Sequence, residues 1–148
     1  MILNLNTRGC MDNIIIEKMW HDVELIEIKM VFRTEFVNVY QYCYVSESDW
    51  EKNVDRIFQY IAEPRTEIYT EYGNKSGNYT PAFSMLFLPL DANGHVKIEM
   101  DIEIADNNIR AHRCSFYVDT EIGLLEQFAY KMQMLLKGED GYEIKLIE

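Results

Sequence analysis

The chain has 148 residues, 48% hydrophobic and 13% aromatic, which suits a folded domain and excludes a disordered chain. Twenty-five acidic residues against 14 basic ones leave a formal net charge of −11. That balance opposes a nucleic-acid binder, which carries a basic footprint, and opposes an anionic membrane surface. It favours encounter with a basic protein partner, although solubility alone accounts for much acidity of this kind.

Residues 1–13 read as a flexible N-terminal segment and 14–148 as a single α+β domain. Met1 to Asn13 has no charged stretch followed by an apolar one, as a secretory signal would, and Met11 offers a second start. Ile14 to Glu17 is a short apolar run and a first strand. In Val23 to Arg33, Ile26, Ile28, Met30 and Phe32 alternate with Glu27, Lys29 and Arg33, the period of two that marks a half-buried strand. Thr34 to Val45 reads as its antiparallel partner, with Val37, Val39, Cys43 and Val45 on one face and Tyr40, Tyr42 and Tyr44 on the other.

Ser48 and Glu51 have capping-box spacing, so a helix is expected to open there. Trp50, Val54, Ile57, Phe58 and Ile61 then form a stripe at helical spacing, and Pro64 ends it. Thr66 to Tyr72 is a strand, Gly73 to Asn78 a loop by composition, and Phe83 to Leu90 a central strand buried on both faces, where Pro89 near the end either argues against a strand or marks where pairing stops. Asp91-Ala92-Asn93-Gly94 is a hairpin turn. Val96, Ile98, Met100, Ile102 and Ile104 alternate with Lys97, Glu99, Asp101 and Glu103 in the next strand. Asp106-Asn107-Asn108 supplies a turn, Ile109 to Val118 a return strand, and Thr120 a cap for a second helix. That helix buries Leu124, Leu125, Phe128, Met132, Leu135 and Leu136, and Tyr142 to Ile147 closes the chain as a strand. The order β-β-β-α-β-β-β-β-α-β predicts one mostly antiparallel sheet of about six to eight strands with both helices packed on one face.

Chemistry-bearing motifs are sparse. Cys10, Cys43 and Cys114 are odd in number and lack metal-ligand spacing, so reduced thiols and a cytoplasmic address are expected. No apolar run approaches the roughly 18 residues of a membrane span. His112 and Cys114 share a strand face, but spacing nominates no third ligand, and no metal or cofactor is expected. A nucleophilic site from Cys114, His112 and Glu121 is disfavoured, because residues two apart on a strand project in parallel. Phosphate loops and hydrolase or zinc-protease motifs are absent, so no enzymatic activity is expected. Two rows stand out as partner-binding candidates. Tyr40, Tyr42 and Tyr44 combine large apolar area with a polar tip, unless they pack under a loop or a one-residue slip turns them to the core, and Glu99, Asp101 and Glu103 form an acidic row. If both lie on one open sheet face, that face suits a basic protein. The plain alternative for the acidic row is a solvated strand face.

The run H-V-K-I-E-M-D-I-E-I-A (95–105), followed by H-R-C-S-F-Y-V-D-T-E-I-G-L-L-E-Q-F-A (112–129), resembles small bacterial immunity proteins of polymorphic toxin systems, including the WapI type. The resemblance implies a small, acidic, cytosolic, non-enzymatic protein that binds a cognate toxin domain, often a nuclease, and blocks it by occlusion. It matches no motif with an assigned role, so it transfers no functional residue. Two other functions fit the residues: a small-molecule-binding or enzymatic α+β domain with a pocket between sheet and helices, and an acidic inhibitor that mimics nucleic acid.

Overall fold

A computed structural model of the chain describes residues 12–75, 81–105 and 109–148. The expected turn at 106–108, part of the loop after Gly73, Cys10 and Met11 lie outside the described residues. The class is α+β and the element order is the one expected. It runs β1 (Asn13–His21), β2 (Leu25–Arg33), β3 (Asn38–Ser46), α1 (Glu47–Ala62), β4 (Ile68–Tyr72), β5 (Ala82–Phe87), β6 (His95–Ala105), β7 (Ala111–Glu121), α2 (Ile122–Leu135) and β8 (Glu143–Lys145).

The strands make two four-stranded antiparallel sheets, ordered β3-β2-β1-β8 and β4-β5-β6-β7, and not the single sheet expected. The reason is the supply of apolar cover. Every long strand presents an apolar face, and two helices cannot cover eight strands, so the sheets also bury their inner faces against each other. The Phe32 ring of β2 meets Phe83 of β5 at 5.8 Å and Phe116 of β7 at 5.7 Å, both edge to face. The buried amide of Gln41 on β3 donates to the carbonyls of Ala82 (3.3 Å) and Glu103 (3.2 Å), tying one sheet to the other.

Nor do the helices sit on one face of one sheet. α1 packs on β4 and on α2, while α2 packs on β8 and the end of β7. The two helices are joined by the buried Trp50 indole, which donates to Met132 O at 2.8 Å. Ser46 caps α1 by accepting from Asp49 N at 3.1 Å, two residues before the expected cap at Ser48. The start moves because β3 runs directly into the helix, and Ser46 is the last extended residue. The buried stripe of α1 is rotated accordingly. Trp50, Asn53, Val54, Ile57 and Tyr60 are buried, whereas Phe58 and Ile61 are only partly so. α2 begins after Glu121, not after a Thr120 cap, and its N-cap makes no side-chain hydrogen bond; Thr120 is buried as the end of β7.

β5 is the central strand that its apolar run predicts: Ala82, Phe83, Ser84 and Met85 are all buried between β4 and β6, and pairing ends at Phe87, before Pro89. The β5–β6 turn is held by Asp91, whose carboxylate accepts from Asn93 N and His95 N at 2.8 and 2.9 Å, with Gly94 at φ +81°. Among the described residues no helix is long and apolar enough to cross a membrane.

Candidate functional site

Alternation along β3 sends Gln41, Cys43 and Val45 inward and leaves Tyr40, Tyr42 and Tyr44 on the outer face, 63%, 39% and 48% exposed. Cross-strand register sets what surrounds them. Tyr40 neighbours Val31 and then Ile15, Tyr42 neighbours Lys29 and then Glu17, and Tyr44 neighbours Glu27 and then Trp20. Lys29 extends over both ring faces, 5.5 Å from the Tyr40 centroid and 5.8 Å from that of Tyr42, and the two rings meet edge to face at 6.0 Å. Contacts of this kind hold the rings in place while leaving their outer surfaces open to solvent.

Trp20 belongs to this face, and sequence reading misses it. Simple alternation from Ile14, Ile16 and Lys18 would send Trp20 inward. The β1–β2 register instead slips between Lys18 and Trp20, so Lys18 faces buried Ile28 while Trp20 stands opposite Glu27 on the outer side, 45% exposed. A bulge inserts one residue and exchanges the faces beyond it. At the far end of β2, the Thr34 hydroxyl accepts from Phe36 N and Val37 N, fixing a turn whose Phe36 side chain is almost fully exposed.

The acidic row lies elsewhere. Glu99, Asp101 and Glu103 occupy the outer face of the second sheet, on the far side of the shared core from the tyrosines, so no single face carries both rows. Nor is the row bare. Lys75 Nζ donates to Asp101 at 2.7 Å and to Ser84 at 2.8 Å, Ser115 donates to Asp101 at 3.0 Å, and Arg113 pairs with Glu103 at 3.1 Å. Burial draws the Asp101 carboxyl upward, but the bonds from Lys75 and Ser115 and the charges of Lys75 and Arg113 bring it below its ordinary value. Alongside, Lys97 bonds Asp119 at 2.8 Å and lies 5.1 Å from the Tyr117 centroid. On this face Glu99 is exposed, whereas Asp101 and Glu103 are partly buried and paired with Lys75 and Arg113.

An open cleft of about 530 Å³ lies between the helices, with Trp50 and Val54 beneath and Glu47, Glu51, Asp55 and Lys137 at its rim. It sits between helices and not between sheet and helices, and its lining holds neither a cysteine, serine or threonine nor a histidine that could act as nucleophile and base. Burial pushes the Cys43 thiol up to about 12, so it stays protonated and unreactive at neutral pH. Among the described residues, no three His, Cys, Asp or Glu side chains converge as a metal site. The strongest candidate is therefore the aromatic outer face of the first sheet, a surface suited to contact and not to bond-breaking. Comparison with protein-family models, with curated proteins and with solved structures finds no match to this chain.

Proposed function

We propose that this protein is a non-enzymatic binding protein of the immunity kind, which neutralises a cognate toxin domain in the cytoplasm by occluding it. Its contact surface is the outer face of the first sheet. The observation that carries this reading is the set of four half-exposed aromatic side chains, Trp20, Tyr40, Tyr42 and Tyr44, displayed by register on one pleated surface. Tyrosine and tryptophan dominate the binding energy of protein interfaces, because they bury much area at little entropic cost. A sheet holds them more rigidly than a loop would, which lowers the ordering cost of association.

The net charge of −11 assigns the acidic residues a different role. Charge spread over the molecule steers a basic partner and raises the association rate, while desolvated aromatics set the dissociation rate. Exposed Glu99 thus contributes to steering from a face that the partner does not touch, while Asp101 and Glu103 are compensated by Lys75 and Arg113.

The test begins with partner capture from the native cell by the parent protein and by folded Trp20→Ala/Tyr42→Ala/Tyr44→Ala. The captured protein is then purified and its binding kinetics measured at two salt concentrations. Tyr42→Ala is expected to speed dissociation at unchanged salt dependence, at a cost of about 1–3 kcal/mol. Glu99→Lys with Glu103→Lys is expected to slow association and leave dissociation unchanged. Parent-like dissociation by the triple aromatic variant would place the interface elsewhere.

A further inference from the structure

Hydrogen bonds from side chains elsewhere in the chain reach three of the four sheet edges. On β4, Asn53 Nδ2 of α1 donates to Glu71 O at 2.8 Å and an Arg56 N–H donates to Tyr69 O at 3.0 Å. On β8, Lys131 of α2 donates to Lys145 O at 2.9 Å. On β7, the Asp12 carboxylate accepts from Asp119 N at 2.8 Å. The fourth edge is β3, the terminal strand of the first sheet; its Cys43 thiol lies beside Gly73 at the end of β4, and among the described residues no strand pairs beyond it. Proteins guard such edges with charge, proline, a bulge or a short strand. β3 has none of these: it is nine residues long, pairs with β2 in unbroken register, and contains no charged residue, proline or glycine.

The charges lie just outside the strand, at both ends. Exposed Glu35 precedes it, with exposed Arg33 of β2 opposite Asn38 at that end, and exposed Glu47 and Asp49 follow it. This arrangement discriminates between occupants. A second copy paired antiparallel about Tyr42 would set Asn38 against Ser46 and bring Glu35 of one copy toward Glu47 and Asp49 of the other, acid against acid at both ends. A foreign strand with basic ends would meet carboxylates at both ends, and its uncharged middle would lie along an uncharged strand.

We infer that the partner of the first sheet inserts an extended segment, uncharged in its centre and carrying lysine or arginine at both ends, which adds to β3 as a fifth strand. Backbone hydrogen bonds would hold it, and Tyr40, Tyr42 and Tyr44 would flank its outward side chains as cross-strand neighbours. The inference rests on the reading above that the outer face of this sheet is the partner surface, and it adds the edge through which the partner enters.

The probe is a synthetic nine-residue peptide with lysine at both ends and alternating threonine and valine between. Two further versions are N-methylated, one at every odd and the other at every even amide of the central segment. A strand added to β3 bonds through one set of amides only. One N-methylated version should therefore bind about tenfold or more weakly and the other within about twofold of the parent peptide. Amide exchange should slow in β3 on addition of the parent peptide, and Glu35→Gln with Glu47→Gln should weaken binding and flatten its salt dependence. Equal binding by both methylated versions, or no protection in β3, overturns strand addition. So does sedimentation showing a dimer that the peptide cannot dissociate and that Tyr42→Lys dissociates, because a second copy would then occupy the edge. The two readings fail separately. If the aromatic variants lose the cellular partner while both methylated peptides bind alike, only strand addition fails. If the peptide protects β3 but the aromatic variants keep the partner, only the face fails.

Discussion

Lys18 offers a severe test of how this fold is held together. It is 2% exposed, on the inner face of β1, and its ammonium donates to Leu136 O and Gly138 O, each at 2.9 Å. Those carbonyls lie at the C-terminal end of α2, whose last turn contains no basic residue of its own. A lysine over a hundred residues earlier thus supplies the positive charge that the negative end of a helix favours. Lys18→Met keeps a chain of similar length and removes the charge. Two hydrogen bonds from a charged donor are worth about 1.5–3 kcal/mol each. Desolvating the ammonium offsets roughly half of this. The expected net loss is about 2–3 kcal/mol, or a fall in melting temperature of about 5–10 °C for a domain of this size. Urea unfolding at pH 7 measures the loss, and amide exchange around Tyr142, whose carbonyl accepts from Lys18 N at 2.9 Å, locates it. A variant as stable as the parent would refute the reasoning, showing that the burial cost of the ammonium matches everything its bonds return.

Phe128→Ala should cost about 3–5 kcal/mol in denaturant unfolding, because Phe128 is fully enclosed by the core. Phe58→Ala should cost clearly less, about 1–2 kcal/mol, because Phe58 is only partly buried and packs edge to face on half-exposed Tyr130 at 4.9 Å. The folded-state carboxyl of Asp101 sits below its unfolded value, so its contribution is present above about pH 4 and is lost as pH falls through the folded value. Urea midpoints from pH 6 down to pH 2.5 should accordingly fall less steeply for Asp101→Asn than for the parent. Asp12 has the opposite sign: burial holds its carboxyl above the ordinary value, so its ionisation costs stability as pH rises through the window above about pH 4. Asp12→Asn keeps an acceptor for Asp119 N and should gain on the parent in the same titration between pH 3 and pH 6.

Local periodicity settled much of this molecule. The tyrosine row is legible because Val39, Cys43 and Val45 alternate with Tyr40, Tyr42 and Tyr44, and a strand places alternate residues on opposite faces whatever it pairs with. The two helices follow from stripes at helical spacing, and the end of β5 from Pro89, for equally local reasons. The division into two sheets rests on contacts such as Phe32 with Phe83 and Phe116, between residues far apart in the chain, and no local pattern encodes which apolar faces will meet. The same holds for the separation of the acidic row from the tyrosines. Alternation shows that Glu99, Asp101 and Glu103 share a face, but sheet membership decides which side of the molecule that face occupies. Trp20 makes the point at a single residue. Its sequence position assigns it to the core side of β1, and only the register slip against β2 turns it outward to stand with Tyr44 across Glu27, because a bulge is a property of the pairing and not of either strand alone.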